Sequence, residues 1–186
     1  MGMRATNSVE LGGPLVAEAR SGDERAFARI VAAYHDDMAR VAFVVCRDPQ
    51  LAQEAAHAAW PLAWQKLSTV RDPARLRPWL IAIAANEARG LARRRGRRAV
   101  REIAIDPIVE TNAAPAGADP AERVGLIDLA NALAGLDLDD RTVVGMRYAV
   151  GMSSTEIGLA IGMTAGGVRA RIARLLVRLR KDLGDA

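Results

Sequence analysis

Cysteine is almost missing from this chain. Cys46 stands alone, so neither a disulfide framework nor a multi-cysteine metal site can be built within it. Aromatic residues make up only 4%, and with β-branched residues thin beside Ala and Leu the composition favours helix over strand. No run of about 18 apolar residues offers a membrane span, and the opening MGMRATNSVELGG lacks the apolar core of a signal peptide. Histidine occurs twice, as His35 and His57, each inside a helical block with no nucleophile beside it. Both read as packing or surface residues, and no catalytic set can be assembled. The absences together predict a soluble cytoplasmic protein with no membrane contact of its own, no metal, no cofactor and no enzymatic chemistry.

What the chain does have is alanine, leucine and arginine. Its 186 residues suit one ordinary domain or two small ones. Net charge is only +4, but the pI of about 10 reflects arginine that is unevenly placed. Arginine stays charged and presents a planar fork of donors suited to phosphate, so its clustering matters more than the total. Residues 1–13 read as a disordered polar tail. From 14 to 98, apolar residues recur every three to four positions in four blocks, one carrying Phe27, Ile30, Val31, Tyr34, Met38, Val41 and Val45 near one face. The fourth block ends in arginines. Between 99 and 122 three prolines, no helical period and five acidic residues against one arginine mark a flexible acidic linker. Residues 123–186 return to helical spacing, with a break at GLDLDD. The expected fold is all-α: two small helical domains on an acidic tether.

The stretch SSTEIGLAIGMTAGGVRARIARLLVRLRKDL is the most informative. Ser153 and Glu156 have the S-x-x-E spacing of a capping box, in which each side chain satisfies the other residue's backbone N–H. Gly162 can end that helix in a left-handed cap, and Thr164 can start the next one after a short turn, which is helix-turn-helix spacing. Val168, Ile172, Leu175, Leu176 and Leu179 should face a core. A helical wheel puts Arg171, Arg174, Arg178 and Lys181 on one exposed stripe, with Arg169 on the opposite flank and no acidic compensation before Asp182. A basic stripe behind such a turn suits a major groove and its phosphates. A merely solvated basic face is the competing reading. Small residues, Thr164, Ala165, Gly166 and Gly167, occupy the tip, where backbone can approach DNA closely but side chains read little.

These residues carry a resemblance. ALAGLDLDDRTVVGMRYAVG, continued by the stretch above, closely resembles the −35-binding domain of bacterial extracytoplasmic-function (ECF) sigma factors. RDPARLRPWLIAIAANEARGLARRRGRR resembles the family's −10-recognition segment, and DPQLAQEAAHAAWPLAWQKL its polymerase-binding helix. The resemblance implies a sigma region 2-like domain, a linker and a helix-turn-helix region 4-like domain. It implies a promoter-specificity subunit, not an enzyme, whose partners are the RNA polymerase core (β′ and β subunits), promoter DNA and an anti-sigma factor. By the same resemblance the −35 element falls to Thr164, Ala165, Gly166, Gly167, Arg169, Arg171, Arg174 and Arg178. The −10 element falls to Asn86, Arg89, Arg93, Arg94, Arg95, Arg97 and Arg98, and the polymerase to Glu54, His57, Trp60, Trp64 and Lys66. The chain departs from the family pattern at His57-Ala58, at Pro61, which should kink its helix, at Gly90, and at Gly158 and Gly167 in place of the usual Ala and Thr. Trp60, Trp64 and Trp79 read as core or interface anchors. A stand-alone helix-turn-helix regulator, or a helical adaptor that touches no DNA, would leave one or both arginine clusters unexplained.

Overall fold

Aspartates begin two long helices of the front half. A computed structural model describes residues 13–102 and 133–184. After α1 (Gly13–Arg20), Asp23 accepts hydrogen bonds from the amides of Arg25 (2.8 Å) and Ala26 (3.1 Å) and opens α2 (Glu24–Cys46). Arg47, in the left-handed region at φ 56°, closes α2. Asp48 then caps α3 (Pro49–Lys66), whose first position holds Pro49, a residue with no N–H to leave orphaned. Two 3-10 turns, Leu67–Thr69 and Pro73–Arg75, lead into α4 (Leu76–Glu102). The fourth block is thus helical past Arg98, and the predicted start of the linker at 99 is corrected by four residues. The remaining linker residues, the N-terminal tail to residue 12 and most of the helix expected before GLDLDD lie outside the described residues.

Periodicity decides the packing. Ile30, Tyr34, Met38, Val41 and Val45 are buried along α2, with Phe27 and Val31 partly so. Against them α3 presents alanines 52, 55, 56, 59 and 63, and α4 presents Leu80, Ile81, Ala84, Ala85 and Ala88. Small side chains on two of three faces let the helix axes close up. The core there depends on large residues of α2 filling the space, and Met38→Ala would cost about 2–5 kcal/mol. The α3 helix runs unbroken through Pro61.

The back half is built by caps and turns. Asp137 accepts from the Asp140 amide (2.7 Å) to start α5 (Leu138–Val144), which runs into a π turn at Gly145–Ala149. α6 (Ser154–Ile161) starts with the full capping box: the Glu156 amide donates to Ser153 Oγ (3.2 Å) and the Ser153 amide to Glu156 Oε2 (2.8 Å). Gly162 ends it at φ 73°, and Thr164 Oγ1 accepts from the Gly167 amide (3.1 Å) to begin α7 (Ala165–Gly184). Val143, Met146, Met152, Ile157, Val168, Leu175 and Leu179 fill the space between α5, α6 and α7, and this cluster is continuous with that of α1–α4. Among the described residues the fold is all helix and turn, and no helix is long and apolar enough to cross a membrane.

Candidate nucleic-acid interface

The helix-turn-helix is closer packed than its sequence suggested. A Cβ placed on Gly158 would lie 2.4 Å from the Met163 carbonyl oxygen. Glycine there is what allows the turn to pass against α6, so it is a requirement of the geometry and not simply a loss of helix propensity. At Gly167 the nearest atoms are flexible side-chain ends, Met163 Cε at 3.2 Å and Thr164 Oγ1 at 3.3 Å. The tip Thr164–Gly167 is open to solvent at Thr164 and Gly166.

The arginines of α7 divide differently from the predicted stripe. At 100° per residue, Gly166, Arg169, Ala170, Ala173, Arg174, Val177, Arg180 and Lys181 share one side, and all are exposed. Arg169 and Arg174 are both exposed but lie about 140° apart, at the two borders of this open side, so Arg169 keeps the flank opposite Arg174. Arg171 turns toward α5. Its Nε and Nη2 lie 2.7 and 2.6 Å from Asp140 Oδ1, and Nη2 lies 4.0 Å from Asp137. Arg178 leans the same way, donating to the Gly135 carbonyl (2.7 Å). The acidic compensation missing within α7 is supplied by α5. No ion pair among the described residues involves Arg169, Arg174, Arg180 or Lys181.

A similar division holds on α4. Asn86, Arg93 and Arg97 share a face, with Arg89 and Arg94 on its two borders and Arg98 further round. Arg93, Arg94, Arg97 and Arg98 are exposed. Arg95, nine residues from Asn86 and so half a turn away, ion-pairs with Asp48, the α3 cap. The Asp48 carboxyl is held below its ordinary range, first by the Leu51 amide, against a smaller upward push from burial, and then by Arg95. Arg95 thus braces a helix start on the side away from Asn86. Arg89 donates to Asn86 Oδ1 and, at 2.6 Å, to Asp139 Oδ1 of α5.

On α3, Glu54, His57, Ala58, Pro61, Trp64 and Gln65 form one exposed face, with Lys66 beside it. Trp60 does not belong to it. It is 8% exposed, packs edge-on against Phe27 and donates from Nε1 to His35 Nδ1 (3.1 Å). Trp64 leans on the same Phe27 ring at 4.7 Å while staying 37% exposed. His57 stacks on His35 at 5.2 Å. His35 is thus a packing residue beneath Trp60, and His57 stacks on it from the exposed side. Trp79 lines a cleft of about 450 Å³ with Val70, Pro78, Ala82, Leu159 and Ala160.

Arg77 was not singled out by any motif, yet its side chain joins three separate segments of the chain. It donates to Asp37 (3.1 Å), to Glu156 (3.4 Å) and to the Val150 carbonyl. Only its position one residue before a proline, at the start of α4, was visible beforehand. Burial pushes the Glu156 carboxyl up, but the Ser153 amide and hydroxyl and the Arg77 guanidinium outweigh it and hold the group below its ordinary value.

Known proteins share this arrangement. Residues 30–98 match the Sigma-70 region 2 family and residues 126–179 match Sigma-70, region 4. The RNA polymerase sigma factor CarQ of Myxococcus xanthus is 30% identical over 89% of this chain and 94% of its own. The ECF RNA polymerase sigma factor SigW of Bacillus subtilis is 27% identical over 91% of this chain and 95% of its own. The probable RNA polymerase sigma factor RfaY of Xanthomonas campestris is 28% identical over 89% of this chain, which spans 42% of that protein. Among solved structures, CnrH in complex with the cytosolic domain of CnrY matches with a TM-score of 0.68 at 27% identity, covering 92% of this chain and 96% of that one. With helix-turn-helix, arginine-faced α4 and both regional matches in chain order, the protein belongs to the ECF sigma factors, the promoter-specificity subunits of bacterial RNA polymerase.

Proposed function

We propose that the chain grips promoter DNA at two points while its α3 face docks on the polymerase core. At the −35 element the working side of α7 is Arg169, Ala170, Ala173 and Arg174, followed by Arg180 and Lys181. Long guanidinium arms beside small residues reach guanine edges or phosphates, and the tip Thr164–Gly167 brings backbone close to the strand. Arg171 and Arg178 serve this face indirectly, as braces to α5. At the −10 element Asn86, Arg89, Arg93, Arg94, Arg97 and Arg98 follow the exposed strand, with Asn86 able to read the edge of an extruded base. Glu54, His57, Trp64 and Lys66 are the polymerase contacts, and Trp60 holds them in place from beneath. Catalysis belongs to the polymerase, and the protein works in the cytoplasm. An anti-sigma partner fits the same reading, since CnrH was solved with the cytosolic domain of CnrY.

The observation that carries this reading is the open basic side of α7 behind a capped, glycine-closed turn. Pull-down with core polymerase, followed by run-off transcription on a promoter fragment library, tests it. Binding to core with initiation at a shared pair of elements is expected. A chain that binds duplex alone and ignores core would instead be a stand-alone regulator, and one that binds neither would be an adaptor.

A further inference from the structure

Pro61 breaks a rule of helix building, and its packing does not explain why. It lies inside α3, well beyond the first turn where proline is tolerated, and it is exposed, so its ring adds little to the core. Proline has no N–H, so the His57 carbonyl four residues back loses its helix bond, and the ring crowds that carbonyl toward the outside of the helix. Any other residue type would strengthen α3 at this position. Local rules broken without a packing gain collect at functional sites.

The freed acceptor lies in a patch suited to a particular donor. Glu54, His57, Pro61 and Trp64 follow one another at intervals of three, four and three residues, a single exposed stripe along α3. Trp64 is 37% exposed, and its ring is steadied by Phe27 at 4.7 Å. Helix side chains lean toward the N-terminus. The indole therefore shares the turn of Pro61, while the His57 imidazole leans the other way and stacks on His35 at 5.2 Å. That leaves the carbonyl uncovered between them. A guanidinium fits such a place: its edge donates hydrogen bonds to an oxygen while its face lies on an aromatic ring. The Glu54 carboxylate on the same stripe favours a cation.

Resting on the assignment of this face to the polymerase core, we propose that the His57 carbonyl, set free by Pro61, accepts a hydrogen bond from an arginine of the core, with Trp64 as the platform for the same guanidinium. Pro61 is then a positioning residue, acting through the backbone group that it releases. The helix forgoes one bond so that the complex can make one. Stability of the free chain and affinity for core are thereby set against each other at residue 61.

Two variants of the full chain test that opposition. Pro61→Ala restores the amide and closes the carbonyl. Its melting midpoint should rise by about 6–12 °C, while its affinity for core polymerase, measured in competition with labelled wild type, should fall at least about tenfold, the loss of one hydrogen bond to a charged group. Pro61→lactic acid puts an ester there, with neither the N–H nor the ring. It should bind within about two- to threefold of the wild type, the scatter of a neutral surface change, and should melt no higher. Undiminished affinity of Pro61→Ala overturns the proposal. So does an ester chain that binds as weakly as the alanine one, since the ring and not the carbonyl would then make the contact. A Pro61→Ala chain that loses both stability and affinity overturns it as well, because proline would then be serving the fold. A wild-type chain that shows no binding to core is a different failure, which removes the docking reading itself and the role of the carbonyl with it.

Discussion

Arg171 and Arg174 lie three residues apart on one helix, and the structure assigns them different work. Replacing Arg171 by alanine removes a charge-assisted hydrogen bond and the ion pair to Asp140 and leaves that carboxylate, 16% exposed at its side chain, without its cation. A charge-assisted bond in such a setting is worth about 1.5–3 kcal/mol, more than an exposed pair, because the abandoned group is partly buried. With unfolding midpoints of chains this size moving about 2–4 °C per kcal/mol, Arg171→Ala should melt roughly 3–12 °C lower. Arg174 is exposed and makes no ion pair among the described residues. Arg174→Ala should therefore leave the midpoint within about 1–2 °C, a surface effect under ~0.5 kcal/mol. On DNA the order reverses. For holoenzyme on a promoter it initiates from, Arg174→Ala should make the slope of log K against log salt shallower by about 0.9, one phosphate's worth. Arg171→Ala, assayed well below its melting point, should leave the slope alone. Calorimetry and a salt series of filter-binding measurements settle both. An Arg171→Ala chain that keeps its midpoint but loses a unit of slope would refute the division and return Arg171 to the DNA.

Gly158→Ala should destabilise by about 1–2 kcal/mol, since the backbone clash with the Met163 carbonyl outweighs the ~1 kcal/mol helix gain. Gly166→Ala, whose nearest neighbour would be an arginine tip at 3.8 Å, should be neutral or stabilising, and thermal melts of the two compare them directly. Ser153→Ala should lose about 1 kcal/mol with the capping box, visible as a lower urea midpoint. Glu156, whose folded value lies below its unfolded one, contributes stability that is full above the unfolded value and lost as pH falls through the folded value. Glu156→Gln should therefore melt below the wild type at pH 7, with the gap closing in acid. Burial, then Asp48, raises the Cys46 thiol to about 11, so native protein at pH 8 should resist iodoacetamide and urea-unfolded protein should react.

Much of this architecture was legible because caps and periods are local. Ser153 with Glu156, and Gly162, act within four residues, and the apolar spacing of α2 needs no partner to be seen; the Asp23 and Asp48 caps are equally local but were not read beforehand. The α4 end was misplaced because alanine and arginine continue a helix that a composition change only seems to close. The α7 stripe was drawn incorrectly for a different reason. A wheel shows which residues share a side of one helix, but only the direction of the neighbouring element says which side is open. Arg171 and Arg178 sit at the edge nearest α5, and the groups that hold them, the Asp140 carboxylate and the Gly135 carbonyl, stand 31 and 43 residues upstream. Trp60 and Trp64 posed the same difficulty on α3, four residues apart with one ring beneath Phe27 and the other at the surface. Arg77 was invisible because its three partners come from three other segments of chain.

The segment Asp137-Leu138-Asp139-Asp140 shows why charge counts could not have anticipated the interface. Read along the sequence it is an acidic turn between helices. In the folded chain Asp137 spends its carboxylate on a helix start, Asp140 is turned toward α7 and Asp139 toward α4. Successive helical positions point 100° apart, so two adjacent carboxylates naturally serve two different neighbours. The brace at Asp140 is half-buried and joins a hydrogen bond to a close ion pair, suited to permanence, whereas the pair at Asp139 is exposed. That difference sets which contact should survive on promoter DNA. The Asp140–Arg171 brace holds α7 with its open face turned outward, while on the −10 role proposed for Arg89 its pair with Asp139 has to break before it can meet a phosphate. An Asp140→Asn chain should accordingly lose stability without gaining single-strand affinity, and Asp139→Asn should do the reverse. Similar behaviour of the two variants would mean that α5 separates no such roles.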